Sequence, residues 1–321
     1  MGSFTVLIGR FAPFCSVCLE PIRDAIAKGR QVVIVITDAD LAISSRLPWT
    51  ADEREAMARG ALAEFGDAVH FVQIDARPRQ DWDFDVLTRI GWQGQQVELT
   101  PGQFLGIEGA SVHYVPEFAS EEATVLAALY DGDDERLATF VPVAILLQVK
   151  SLRDSESFSD LAEEHRYFEA YKTAWKAAPY PVVLVSVDAV IVHSGHLLLV
   201  ERGRIPGKGL WALPGGFVEP DEWLVASALR ELREETGLQL ADHEAQARLK
   251  SSHVFDDPWR SGRGRVITHA YHFELDSDDQ PEVSGQDDAA AARWVPLDEV
   301  KAMRGRFFDD HGRIISHFLG I

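Results

Sequence analysis

Three glutamates in one short run, Glu231, Glu234 and Glu235, are the residues best placed to do chemistry in this chain. Spaced i, i+3 and i+4, they project their carboxylates from one face if the segment is helical. Like charges that close destabilise a helix and raise one another's pKa. The arrangement makes sense when hard divalent cations, which take oxygen ligands, occupy the face. Cations there neutralise phosphate oxygens and lower the pKa of a bound water, so that hydroxide can attack phosphorus at neutral pH. The plainer alternative is an exposed helix of solvated glutamates, and the flanking residues argue against it. Glu222 and Arg230, two turns apart on one side, are expected to pair and orient the run. Gly215 and Gly216 permit close backbone approach, and Gly237 follows as a C-cap.

Gly216, five residues, Glu222, seven residues, then Arg230-Glu231-Leu232-Arg233-Glu234-Glu235-Thr236-Gly237-Leu238 matches the Nudix box at every fixed position. The match implies hydrolysis of a nucleoside diphosphate linked to some moiety X. The stretches YPVVLVSVDAVIVHSGHLLLVERGRIPGKGLWALPGGFVE, FDDPWRSGRGRVITHAYHFEL, GQDDAAAARWVPLDEV and FFDDHGRIISHFL extend the likeness over nearly all of 156–321. They resemble the bifunctional nicotinamide-mononucleotide adenylyltransferase/Nudix hydrolase family. That resemblance implies an α+β Nudix fold, a mixed sheet sandwiched by helices, that hydrolyses ADP-ribose to AMP and ribose 5-phosphate with Mg2+ or Mn2+. It assigns the metal to Glu231, Glu234, Glu235 and, through its carbonyl, Gly215. A homodimer is expected by the same likeness. The box says little about X, so a nucleotide sugar, NADH or a dinucleoside polyphosphate stays open, as does a module that senses a nucleotide without turnover.

Around the box, Asp257-Pro-Trp-Arg-Ser-Gly-Arg-Gly-Arg265 is the candidate substrate loop. Arg260, Arg263 and Arg265 offer bidentate donors to phosphate or ribose oxygens, Arg202 is assigned with them, and Phe255 or Trp259 is available to stack on adenine. The plain alternative is a cationic hairpin loop. Asp287 and Asp288, before the last strand, stand where Nudix enzymes often supply a further acid or base; they also read as an acidic turn. His269 and His272 read as strand residues with structural hydrogen bonds.

The N-terminal half is similar to the adenylyltransferase half of the same family, with lesions. Gly9-Arg10-Phe11-Ala12-Pro13-Phe14 matches the nucleotide-binding entry and Arg46-Leu-Pro-Trp-Thr-Ala-Asp-Glu-Arg54 a later segment. Where the family requires His-x-Gly-His to grip a triphosphate, this chain has Cys15-Ser16-Val17-Cys18. A neutral thiol is a weak donor, a thiolate repels phosphate, and Val17 crowds a glycine position. The family's downstream Ile-Ser-x-Thr-x-x-Arg is not found. Adenylyl transfer is therefore expected to be lost, and the domain kept as scaffold, dimer surface or ligand sensor; retained activity is the alternative. Cys-x-x-Cys is also half a zinc site or a redox pair, but with no second pair the two read as inert core residues.

The elements that must position these residues fall into two domains. Strands at 4–8, 31–37 and 69–74 alternate with helices at 17–27 and after Trp49, where Thr50 and Glu53 make a capping box. This is the grammar of a parallel α/β sheet, Rossmann-like, with 141–149 expected as its last strand. We divide the chain into 1–155 (nucleotidyltransferase-like), 156–180 (a linker helix closed by Pro179 and Pro181) and 181–321 (Nudix). Strands are expected at 182–192, 196–201, 211–218, 247–255, 265–275 and 291–295, with helices at 221–236 and 297–304. The formal charge of −20 repels nucleic acid and anionic membranes, and no apolar run reaches the roughly 20 residues that span a bilayer. The N-terminus lacks the marks of a signal peptide, and two cysteines make no disulfide framework, so a reducing cytoplasm is expected. A nucleotide partner then needs local arginines and cations to invert the sign.

Overall fold

The structure is a computed structural model that describes residues 4–76, 97–99, 111–112, 118–275 and 279–321. The chain divides into two compact units, Met1–His165 and Arg166–Ile321. No helix among the described residues is long and apolar enough to cross a membrane.

In the first unit β1 (Phe4–Gly9), β2 (Gln31–Ile36), β3 (Val69–Gln73), β4 (Val97–Leu99) and β5 (Ser111–Val112) pair in parallel in the order β3-β2-β1-β4-β5. The continuous apolar run of β2 is buried along its length, as a strand covered on both faces requires. The helices are α1 (Leu19–Ala27), α2 (Ala51–Ala61), α3 (Phe118–Asp131), α4 (Asp134–Phe140) and α5 (Leu146–Ser151), and α6 (Phe158–Trp175) begins in this unit and ends in the second. Thr50 caps α2: its hydroxyl accepts the Glu53 amide while the Glu53 carboxylate accepts the Thr50 amide, the expected box.

One expectation fails here. Residues 141–149 are not a strand: a 3-10 turn at Val143–Ile145 leads into α5. Val141, Ile145 and Val149 are buried, whereas Val143 and Leu147 are exposed. A period of four belongs to a helix, and an unbroken apolar run conceals it from the sequence.

The second unit is built on β6 (Val183–His193), β7 (His196–Arg202), β8 (Trp211–Ala212), β9 (Gly215–Phe217), β10 (Leu249–Phe255), β11 (Arg265–Leu275) and β12 (Ala289–Pro296), ordered β10-β11-β6-β7-β12. β8 pairs with β7 and β9 with β6; β11 and β6 run parallel and the other pairs antiparallel. The sheet is therefore mixed. Helices α7 (Leu224–Thr236) and α8 (Asp242–Arg248) contribute to the core on one face with Val187, Ala189 and Ile191, and α9 (Leu297–Ala302) and α10 (His311–Leu319) contribute to the other with Val190 and Val192. That alternation is the period of two of a strand. The stretch expected as one strand at 211–218 is two, parted at Leu213–Pro214, because Pro214 has no N–H to give a ladder. Neither α8 nor α10 was foreseen from the sequence.

Candidate active site

The three glutamates lie on the C-terminal turns of α7, where Gly237 closes the helix in the left-handed conformation at φ 75°. Their environments differ. Glu235 is buried, and its Oε2 accepts the Gly215 amide at 3.0 Å. Burial pushes its carboxyl up to about 8, with the neighbouring Glu231 charge adding to the shift. Glu231 is half-buried, and burial raises its pKa also. Glu234 is the most open of the three. The expected pairing of Arg230 with Glu222 is present: Nε donates to Oε1 at 2.7 Å and Nη2 to Oε2 at 3.0 Å. The same guanidinium reaches on, its Nη1 donating to Glu231 Oε1 and Glu234 Oε2, both at 2.9 Å.

Arg230 thus bridges the acidic face, and among the described residues no three acidic, histidine or cysteine side chains converge on a single point as a finished metal centre. The donor set nonetheless fits a hard divalent cation. It consists of carboxylate oxygens, and the pKa of Glu231 and of Glu235 is raised by burial despite the hydrogen bonds they accept. The turn beneath is a cradle that only glycine leaves open: a Cβ on Gly216 would overlap the Glu231 carboxylate, and one on Gly215 would lie 2.7 Å from Asp188 Oδ1.

The loop before β12 is stitched to the end of α7, for the Gln286 amide donates to the Glu235 carbonyl and the Ser284 amide to the Thr236 carbonyl, each at 3.0 Å. This brings Asp287, in the left-handed region at φ 50°, within electrostatic reach of Glu231. Asp288 pairs with Arg204 at 2.7 Å and accepts the Gly203 amide on its carbonyl.

Of the assigned cations, Arg202 and Arg263 behave alike. Arg202 lies over the Phe308 ring at 4.2 Å and donates to the Pro206 carbonyl at 2.7 Å. Arg263 lies 5.5 Å from the Phe217 ring and donates to Tyr167 Oη at 3.4 Å. Among the described residues neither has an ion-pair partner. Burial lowers the Arg202 pKa and the positive charge of Arg263 lowers it further, while Glu235, Asp309 and Asp288 oppose the shift. Two unpaired guanidiniums near the acidic turn of α7 are what an anion needs there. Arg265 donates to the Asp256 carbonyl within its own loop, and Trp259 is 57% exposed.

Two assignments need correction. Phe255 presents no free face for adenine: it is packed in the core with Val190, Leu199 and Ile314. Arg260 is committed elsewhere, its Nη2 and Nε donating to Asp310 Oδ1 at 2.7 Å and Oδ2 at 3.0 Å. Both side chains are under 10% exposed, so the pair is structural. The sequence showed three arginines in one loop but not where Asp310 would stand.

A model of the NUDIX domain matches residues 183–318. An ADP-ribose pyrophosphatase of Methanocaldococcus jannaschii is 33% identical over 136 residues, which are 42% of this chain and 72% of that protein. The chain belongs to the Nudix family. An ADPR responsive transcriptional repressor of Acinetobacter baylyi is 43% identical over 109 residues, 32% of this chain and 41% of that protein. The crystal structure of a bifunctional NMN adenylyltransferase/ADP ribose pyrophosphatase from Francisella tularensis matches 100% of this chain and 99% of its own with TM-score 0.88 at 27% identity. Its complex with AMP and a manganese ion matches at 0.86. The first unit of this Nudix protein thus has the Rossmann-like fold of that two-domain relative.

In that first unit the segment after β1 is closed upon itself. Cys15 and Cys18 are buried in the core with Phe11 and Phe14, and burial pushes both thiols well above their ordinary pKa, so they stay neutral. The Ala12 amide, at the mouth of the parallel sheet where nucleotides bind in such folds, donates to Glu122 Oε1 at 3.1 Å. Arg54 turns inward to the carbonyls of Arg10, Thr37 and Asp38 at 2.6, 2.8 and 3.0 Å.

Sequence reasoning overlooked a polar group beneath the Nudix turn. Asp188 accepts the Thr268 hydroxyl at 2.6 Å, and His311 Nδ1 accepts the Leu213 amide at 3.0 Å. One signal was available: Asp188 is the only charged residue in VVLVSVDAVIV, and a buried charge calls for a reason.

Proposed function

We propose that this chain hydrolyses the pyrophosphate of ADP-ribose to AMP and ribose 5-phosphate, through residues 181–321 and with Mg2+ or Mn2+. The observation that carries the reading is opposite charge on neighbouring groups: the carboxylates of Glu231, Glu234 and Glu235 on α7, and, within electrostatic reach of Glu235, the Arg202 guanidinium with that of Arg263 beside it, neither with a carboxylate partner among the described residues. The full-length likeness to a bifunctional enzyme supports the choice of ADP-ribose among Nudix substrates.

The geometry supports one set of roles. Glu231, Glu234, Glu235 and the Gly215 carbonyl would hold the cation, with Arg230 leaving Glu231 and Glu234 for Glu222 alone. Bound there, a divalent cation supplies charge neutralisation at the diphosphate and a water acidified toward neutral pH. Arg202 and Arg263 would orient the diphosphate oxygens as bidentate donors. Trp259, exposed at its loop, would stack on adenine. Asp287, within electrostatic reach of Glu231, would take the proton of the attacking water, with Asp288 holding the loop through Arg204. Gly216, Glu222 and Gly237 shape the turn.

For residues 1–155 we propose a nucleotidyltransferase-like domain without adenylyl transfer. Val17 and neutral, buried Cys15 and Cys18 stand where imidazoles and glycine would hold a triphosphate, and Glu122 occupies the Ala12 amide. We further assign 156–180 as the linker helix and expect a homodimer in the cytoplasm, acting on a small nucleotide rather than on nucleic acid.

A panel of ADP-ribose, a nucleotide sugar, NADH and a dinucleoside polyphosphate, with Mg2+ or Mn2+ and read by product identity, tests the choice. ADP-ribose is expected to give the highest kcat/KM. A higher value for any other member overturns the substrate assignment, and tight binding with negligible turnover throughout would favour a sensor.

A further inference from the structure

The metal-side turn and the candidate substrate loop share an anchor outside both. The turn Leu213–Gly215 leads into β9, whose Gly215 amide is held by Glu235. The loop 256–265 carries Arg263 and Trp259. Adjacent residues at the head of α10 touch each. Asp310 holds the loop through Arg260 at 2.7 and 3.0 Å, and Arg313, one turn on, holds it again through Asp257 at 3.4 Å. His311 holds the turn, because its Nδ1 accepts the Leu213 amide at 3.0 Å.

That bond fixes the tautomer. An imidazole nitrogen that accepts carries no proton, so the hydrogen lies on Nε2, which faces Asp188 Oδ1 at 3.8 Å. Asp188 is pinned in turn by the Thr268 hydroxyl at 2.6 Å and lies against the position of a Gly215 Cβ. His311 and Asp188 are both buried. The Pro214 carbonyl accepts the Ala189 amide at 2.8 Å, so the turn is held from β6 by backbone and from α10 by one side chain. Leu213 has its amide satisfied only because a ring nitrogen is placed there; a buried orphan amide is costly.

We propose that His311 is a positioning residue for the metal site: it sets the Leu213–Gly215 turn from α10, while its neighbour Asp310 sets the substrate loop, so one helix end registers the two halves of the active site. This rests on the metal reading of the Glu231–Glu235 face given above. Outer-layer partners of this kind typically change metal affinity by about 10- to 100-fold when removed.

Two conservative variants separate positioning from bulk packing. His311→Asn keeps an acceptor near the place of Nδ1, whereas His311→Gln carries its amide to the place of Nε2 and leaves Leu213 unpaired. Mn2+ titrations of the full chain followed by electron paramagnetic resonance, with hydrogen exchange of residues 211–217, read both. His311→Gln is expected to weaken Mn2+ about tenfold and to speed exchange at Leu213 and Gly215. His311→Asn is expected to stay within about threefold of the parent, by the same reasoning. Parent-like Mn2+ affinity in His311→Gln overturns the proposal, as does equal weakening in both variants. A parent chain whose Mn2+ binding is indifferent to Glu234→Gln would refute the metal reading itself, and this inference with it. If His311→Gln unfolds, the exchange rates and Mn2+ affinity of His311→Asn decide alone: parent values support the proposal, and a tenfold loss sinks it.

Discussion

Removing the Arg260 guanidinium distinguishes a structural arginine from a substrate arginine. Arg260 and Asp310 form a two-pronged pair at 2.7 and 3.0 Å with both side chains under 10% exposed. Arg260→Met keeps much of the side-chain volume and leaves Asp310 as a buried charge, whose loss of a partner typically costs about 3–5 kcal/mol. Arg313 Nη2, 3.6 Å from Asp310 Oδ2, offsets part of that, so we expect the lower end, about 3 kcal/mol. In a unit of this size about 1 kcal/mol moves Tm by roughly 2–4 °C. Thermal unfolding should therefore show a fall of about 6–12 °C for Arg260→Met. A cycle with Asp310→Asn and the double variant should return a coupling of about 2 kcal/mol or more, within the range for paired charges. A Tm within about 2 °C of the parent, together with a raised KM for ADP-ribose, would refute this reasoning and return Arg260 to the substrate.

Further predictions concern the basin itself. Arg263→Met, which loses an unpaired guanidinium, should lower kcat/KM for ADP-ribose about 10- to 100-fold, the worth of a charge-assisted bond, with little change in Tm; steady-state kinetics beside a melting curve checks it, and a parent-like kcat/KM counts against it. Gly216→Ala should displace Glu231 and weaken Mn2+ binding in a chain that still folds, read by the same resonance titration. Because Glu235 is held near 8 against an ordinary value of 4.5, the metal-free folded protein keeps a proton that the unfolded chain has lost between those pH values. Its stability should accordingly fall as pH rises from about 4.5 to about 8, and divalent cation should restore it. Below pH 8, Mn2+ binding should release close to one proton, measurable by calorimetry in buffers of different ionisation enthalpy; buffer-independent heats would contradict the assignment.

The box was legible because its geometry is local: i, i+3 and i+4 positions share a face whatever the helix packs against. The Glu222–Arg230 pair and the Gly237 cap are equally short-range, and both are present. The alternation of strand and helix in the first unit could be read for the same reason, as could the Thr50–Glu53 box. Long-range partnerships were not legible. The sequence places Arg260 and Asp310 fifty residues apart, and no periodicity shows that they meet. Phe255 looked available because it flanks the arginine loop, yet at the end of an otherwise exposed β10 it packs into the core beside His317 and Phe318 of α10. Residues 141–149 failed for lack of polar markers: Val143 and Leu147 face solvent with apolar side chains, so the helical period left no trace in residue type.

Glu234 allows the most direct test, being 40% exposed and, among the described residues, paired with Arg230 and Arg233 at the helix surface. Its change to Gln should leave the fold and Tm intact. The decisive measurement is the Mn2+-dependent release of AMP from ADP-ribose by the parent chain and by Glu234→Gln. Loss of a ligand that serves the cation should lower turnover about 1,000-fold, several kcal/mol at the transition state. Undiminished release of AMP by the variant would contradict the account at its base.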